Sequence, residues 1–189
     1  MADPRVRRSR EALHRALVAL ILERGWDRVS VEAVCERAKV GRSTFYVHFA
    51  DKEDLLIGGL EHVRDDLRAQ RRATPFGFVR GLVAHADESR RMFRAVIGKR
   101  SGLAVQRRFR EIVGELMTED LRAQRVAERE VAVTSRFLAG ALVELLLGWL
   151  DARDPSTTQQ VEQRFLELAA PVVVAVRDSR GRVSRKSSR

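Results

Sequence analysis

Residues 30–56 read SVEAVCERAKVGRSTFYVHFADKEDLL, and this stretch decides the fold. Ser30 is a favourable helix N-cap, because its hydroxyl can accept a hydrogen bond from a free backbone N–H group. The helix that it opens is expected to end near Ala38, where Lys39-Val40-Gly41 forms a turn. A second short helix is predicted over Arg42–His48. Two short helices around a tight turn are the outline of a helix-turn-helix.

The two faces of the second helix differ in chemistry. Phe45 and Phe49 lie four residues apart, so they are expected to anchor this helix to the helices before it. The positions left to point outward are Arg42, Ser43, Thr44, Tyr46, Val47 and His48. A helix in the major groove reads base edges with donors, acceptors and apolar groups, while other groups hold the phosphates. The pattern favours DNA reading, and the alternative is an ordinary helical hairpin in a bundle.

The composition indicates which core, partners and cellular compartment are possible. The chain has 189 residues, of which 44% are hydrophobic, so a packed core is possible. The net charge of +10 favours anionic partners, but it is spread along the chain and supports nucleic-acid binding only weakly. Cys35 is the only cysteine, which fits a reducing cytoplasm. The most apolar run, Phe137–Leu150, is shorter than the roughly 20 residues of a bilayer span, so no membrane contact is expected.

One known family carries the same residues around the turn. The matching residues are Ser30-Val31-Glu32, Ala38-Lys39-Val40, Thr44-Phe45-Tyr46, His48-Phe49, Lys52-Glu53 and Leu55-Leu56. With them, residues 6 to about 60 resemble the N-terminal domain of the TetR/AcrR family of transcriptional regulators. The resemblance implies an all-α fold, with a three-helix DNA-binding domain followed by a helical ligand-binding and dimerisation domain. The predicted domains are 1–50 (motif about 31–50) and 51–177, and 178–189 is expected to be a disordered basic tail.

The resemblance also implies roles for individual residues. Thr44, Tyr46, His48 and Lys52 would contact phosphates, Arg42, Ser43 and Val47 would face bases, and Ser30 completes the candidate set. The chain contains no asparagine, and residues 30–56 contain no glutamine, so the usual bidentate reading of adenine is absent there. Two positions depart from the family pattern: Gly41 replaces a frequent serine N-cap, and Lys39 replaces a frequent glycine.

The later helices leave two interpretations open. The run 137–150 and the last helix form either the core of one chain or a four-helix interface across a two-fold axis. The predicted interface residues are Phe137, Ala141, Leu145, Trp149, Phe165, Val172 and Val176. The middle helices supply either plain core or an effector pocket, with candidate residues Phe78, Leu82, His85, Phe93, Arg94, Phe109, Val113, Met117 and Glu144. Glu144 would meet a cationic ligand or pair with an arginine such as Arg136.

We therefore expect a homodimeric cytoplasmic regulator, a repressor that binds a palindromic double-stranded operator and is released by an unknown small-molecule effector. One alternative is a helix-turn-helix regulator without a small-molecule ligand. The other is a helical scaffold or enzyme, but the four histidines lack HExxH spacing, and no phosphate-loop pattern or nucleophile pair is evident. No catalytic residue, cofactor or metal is expected.

Overall fold

The structure, a computed structural model, describes residues 4–69, 74–98, 103–151 and 154–184, and all regular elements in these ranges are helical. The helices are α1 Pro4–Arg24, α2 Val31–Ala38, α3 Arg42–His48, α4 Lys52–Ala69, α5 Phe78–Glu88, α6 Arg90–Phe93, α7 Leu103–Ala123, α8 Glu128–Asp151 and α9 Thr158–Ser184. A 3₁₀ turn, Trp26–Arg28, follows α1, and a π-helical segment, Arg94–Gly98, follows α6. The predicted all-α fold is confirmed.

The chain divides into two compact units. The first unit comprises Met1–Asp65 and Ser89–Phe109, and the second comprises Asp66–Glu88 and Arg110–Arg189. In the first unit, the apolar stripe of α1 packs on α2 and buries Leu13 and Leu17 completely. Burial of such side chains stabilises by about 1.5–3 kcal/mol each, which is far more than the intrinsic propensity of short helices supplies.

Local caps set where α2 and α4 begin. The Ser30 hydroxyl accepts a hydrogen bond from the Ala33 N–H at 3.2 Å, as its sequence position predicts. At the start of α4, the Asp51 carboxylate accepts from the Asp54 N–H at 2.8 Å, and the Asp54 carboxylate accepts from the Ala50 N–H at 3.0 Å. Each cap is worth about 1 kcal/mol, so the boundaries of these helices follow from residues only a few positions apart.

A glycine permits the close approach of α4 to α1. A Cβ atom added at Gly59 would lie 2.0 Å from Nε2 of His14, whereas one added at Gly58 would lie 3.5 Å from the Phe49 ring. Burial lowers the pKa of His14 below its ordinary value of 6.5, and the charge of nearby His62 lowers it further. The imidazole of His14 is therefore held in its neutral form where the two helices cross.

The second unit is built around α8 and α9. Long and apolar enough by composition to cross a membrane, α8 nevertheless buries Leu138, Leu142 and Leu146 inside this unit. Trp149 is 3% exposed and donates through Nε1 to the Ser156 carbonyl at 2.9 Å. Phe165 is 2% exposed and meets the Phe76 ring edge-on. Both aromatic residues, which were predicted at the dimer interface, are buried within this unit.

The last helix is longer than the sequence predicts. Helix α9 runs to Ser184 rather than ending at Arg177, so the first seven residues of the segment expected to be disordered have a helical backbone. A helix that has already been nucleated gains one hydrogen bond for each added residue, which allows a polar segment to continue it. Residues 185–189 lie outside the described residues.

We expect Gly59→Ala to destabilise the protein by about 1–3 kcal/mol, because the added methyl group overlaps the His14 ring and forces it to move. Gly58→Ala is the matched control, since its methyl group reaches only ordinary contact with Phe49 and helix propensity improves by about 1 kcal/mol. Urea unfolding followed by circular dichroism measures both variants. Equal midpoints for the two variants would contradict the predicted close packing.

The protein should also lose stability as pH falls below about 6.5. His14 has a lowered pKa in the folded state, so the unfolded chain takes up a proton first, and protonation then favours unfolding. Thermal unfolding between pH 8 and pH 5 should show this dependence, and His14→Gln should reduce it. The prediction fails if the wild-type and variant melting temperatures fall in parallel across that range.

Candidate nucleic-acid interface

Two phenylalanines determine which face of α3 points outward. Phe45 is completely buried and Phe49 is 5% exposed, and their ring centroids lie 5.7 Å apart. Tyr46 packs edge-on against Phe45, with 5.3 Å between the ring centroids. The guanidinium of Arg10, near the start of α1, lies 5.3 Å from the centroid of the Phe49 ring. The predicted anchoring role of Phe45 and Phe49 is confirmed, and it fixes the rotation of α3 about its axis.

The opposite side of α3 is open to solvent. Tyr46 is 59% exposed and Val47 is 76% exposed, and Arg42 and Ser43 lie one turn earlier on the same face. Thr44 and His48 flank this face and are half-buried. Ser30 is exposed at the start of α2, and its hydroxyl retains its hydrogen for donation because it acts as an acceptor in the cap. The face therefore combines a cation, hydroxyl groups and an apolar group.

Lys52, at the start of α4, makes structural contacts that the sequence did not predict. Its ammonium group donates to the carbonyls of Trp26 and Val29, at 2.9 Å each, and lies 4.5 Å from the centroid of the Trp26 ring. This ammonium group therefore fastens the start of α4 to the loop between α1 and α2. An ammonium group has three N–H donors, so the third remains for the phosphate contact, which stays a prediction.

The turn between α2 and α3 carries the two departures noted in the sequence. Lys39 adopts a left-handed conformation with φ of 54° and ψ of 41°, and its N–H donates to the carbonyls of Cys35 and Glu36. Gly41 occupies the N-cap of α3 without a side-chain cap bond. Lysine pays about 1 kcal/mol for a conformation that glycine adopts freely, so this turn contains local strain.

An acidic residue for which the sequence predicts no individual role lies beside Arg42. A carboxylate oxygen of Glu32, on α2, is 3.6 Å from a guanidinium nitrogen of Arg42. A shallow surface depression contains both residues, and it is lined by Glu32, Cys35, Glu36, Lys39, Val40 and Arg42. The one-turn spacing of Glu32 and Glu36 was the available signal, since it places both carboxylates on one side of α2.

Cys35, which lines this depression, has a thiol of low reactivity. Cys35 is 4% exposed, and burial raises the pKa of its thiol above the ordinary value, so the thiol stays protonated at neutral pH. Within the described ranges, no group of three or more His, Cys, Asp or Glu side chains is placed to hold a metal ion.

The candidate effector residues are distributed over both units. Phe93, Arg94 and Phe109 belong to the first unit, where the two phenylalanine rings meet edge-on at 5.1 Å. Phe78, Leu82, Val113 and Met117 are buried in the second unit, in which His85 is half-buried. Glu144 is exposed and lies 3.6 Å from Arg110 rather than beside Arg136, whose Nε donates to the Ala132 carbonyl. The burial of the four residues in the second unit fits both interpretations of the sequence, plain core and the lining of an effector pocket.

The candidate interface residues of the second unit differ in their exposure to solvent. Phe137 is 61% exposed and Ala141 lies one turn beyond it, while Leu145, Val172 and Val176 are half-buried. Three further exposed apolar residues were missed: Val133, Leu168 and Val174, at 63%, 65% and 55%. Val133 lies one turn before Phe137, and this helical spacing was the signal that could have identified it.

Comparison with known proteins addresses both halves of the chain. Residues 13–58 match the family described as bacterial regulatory proteins, tetR family, and residues 73–170 match a transcriptional regulator C-terminal region. The HTH-type transcriptional regulator TcmR of Streptomyces glaucescens is 30% identical over 95 residues, which are 50% of this chain and 40% of that protein.

Solved structures show the same fold. A TetR transcriptional regulator from Streptococcus agalactiae 2603V has a TM-score of 0.67 at 23% identity, covering 87% of this chain and 95% of that one. The TetR-family repressor FadR of Thermus thermophilus, in complex with lauroyl-CoA, has a TM-score of 0.60 at 20% identity, covering 85% and 93%. Because family models match both regions of the chain, we conclude that it belongs to the TetR family of bacterial transcriptional regulators.

Proposed function

We propose that this protein is a cytoplasmic, homodimeric repressor that binds a palindromic DNA operator and leaves it when a small-molecule effector binds. The observation that carries the proposal is the exposed face of α3, held outward by the burial of Phe45 and Phe49. We retain the division into a DNA-binding domain over 1–50 and an effector and dimerisation domain over 51–177 as part of this proposal.

The chemistry of the exposed face suggests how bases are read. Arg42 is the residue of α3 that can donate two hydrogen bonds to a guanine, and Val47 or Thr44 would meet a thymine methyl group. The hydroxyl and imidazole groups of Ser30, Ser43, Tyr46 and His48 serve contacts to phosphates or nearby base edges. With few direct contacts to bases, the rest of the specificity would come from DNA shape.

Exposed apolar residues on α8 and α9 support a dimer. Val133, Phe137 and Ala141 follow one another at one-turn spacing along α8, and Leu168 and Val174 add apolar surface from α9. Pairing of this surface with a second copy would remove these side chains from water. Two copies of α3 would then enter successive major grooves about 34–36 Å apart, which implies an operator with two related half-sites.

The proposal also includes the release of operator DNA when a small-molecule effector binds. The FadR structure of Thermus thermophilus contains lauroyl-CoA, and the similar fold supports a small-molecule site in the C-terminal domain here. A regulator without an effector is the second candidate, favoured by the burial of Phe78, Leu82, Val113 and Met117 to 2% exposure or less. Release of labelled operator DNA by a panel of metabolites and acyl-CoA thioesters would separate these candidates.

Arg42→Ala should weaken binding to an operator selected from random DNA by about 1–3 kcal/mol and relax specificity at one guanine. Arg37→Ala is the matched control, because Arg37 pairs with Glu23 at 2.6 Å on α1. Fluorescence anisotropy on every single-base operator variant measures both effects. If both alanine variants keep the full wild-type base preference, Arg42 does not read the operator.

Phe137→Glu should convert the dimer to a monomer, because it places a carboxylate in the centre of the exposed apolar surface. Leu103→Glu is the control, since Leu103 is an 84% exposed residue of the other unit. Light scattering coupled to gel filtration gives the mass of each variant. A dimer that survives Phe137→Glu would show that this surface is not the interface.

A further inference from the structure

The position of Arg42 is not explained by the stability of its own helix. Arg42 is the first residue of α3, where the partial charge of the helix end is positive, and the first turn of α3 contains no acidic residue. Gly41 provides no side-chain cap. A cation at this position is therefore opposed by the helix that carries it, and its favourable charge contact comes from α2.

That contact is with Glu32. The carboxylate and the guanidinium lie 3.6 Å apart, and their side chains are 76% and 65% exposed, respectively. An ion pair so open to solvent contributes little to folding stability, since water and salt screen it. The pair can thus be broken without unfolding the domain. Its effect would be on how Arg42 contacts other groups at this surface.

In this geometry, the Arg42 guanidinium can contact the Glu32 carboxylate and a guanine at the same time. A guanidinium has five N–H donors in a fixed plane, so a carboxylate on one nitrogen leaves others for the O6 and N7 atoms of a guanine. The same carboxylate repels phosphate groups, which otherwise attract any free arginine without regard to sequence. Contact with DNA would also remove water from the pair and strengthen it.

We infer that Glu32 is a specificity-determining residue, which holds the Arg42 guanidinium toward base edges and away from the DNA backbone. The inference rests on the proposed function, because it concerns the same DNA-facing surface. Glu32 lowers affinity for DNA in general and raises the preference of Arg42 for its guanine.

Glu32→Ala tests this inference, with Glu36→Ala as the matched control. Glu36 lies one turn further along α2 in the same surface depression, so both variants remove one negative charge from the same region. Affinities are measured by fluorescence anisotropy for the selected operator, its single-base variants and a random duplex, at several salt concentrations. Melting temperatures of all variants verify that the fold is kept.

Both variants should bind random DNA several-fold more tightly, because each removes a charge that repels phosphate. Only Glu32→Ala should also reduce discrimination at the guanine read by Arg42, by roughly ten-fold, and this effect should vanish in the Arg42→Ala background. Equal discrimination by the two glutamate variants would overturn the inference. Failure of the wild-type protein to prefer its selected operator over random DNA would instead overturn the proposed function.

Discussion

The burial of Phe45 is the constraint on which the exposed face of α3, the proposed DNA-facing surface, depends. A seven-residue helix such as α3 is not stable in water by itself, so tertiary packing must hold it. Phe45 is completely buried, and Phe49 closes the end of the helix with a further aromatic contact. The side chains of a helix occupy fixed positions around its axis. Burial of Phe45 on one side therefore also sets the directions of Arg42 and Tyr46.

The parts of the fold that the sequence predicts well are those determined over a few residues. The bounds of α3 and the cap at Ser30 agree with expectation, because capping and turn formation involve residues three or four positions apart. The outward face of α3 was predicted for a similar reason. Once Phe45 and Phe49 are assigned to the interior, helical periodicity places the remaining side chains.

The environments that the sequence does not predict involve contacts between distant residues. Lys52 binds carbonyls 23 and 26 residues away, and Phe165 packs on Phe76, so neither environment follows from local spacing. Helix α8 is apolar around most of its circumference, so its pattern does not distinguish core from exposed surface. Leu138 is buried while its neighbour Phe137 is exposed, and only the packing of the whole unit separates the two.

The left-handed turn at Lys39 has a consequence for the evolution of this surface. Glycine would satisfy the same backbone geometry without steric cost, yet the chain keeps a side chain with an ammonium group there. Lys39 lines the same depression as Arg42, Glu32 and Glu36, so the turn contributes a charged residue as well as the path of the backbone. Replacing Lys39 by glycine would relieve the backbone strain and remove one positive charge from this surface. A single position in the loop between the two helices therefore affects both backbone strain and the charge of the surface beside Arg42.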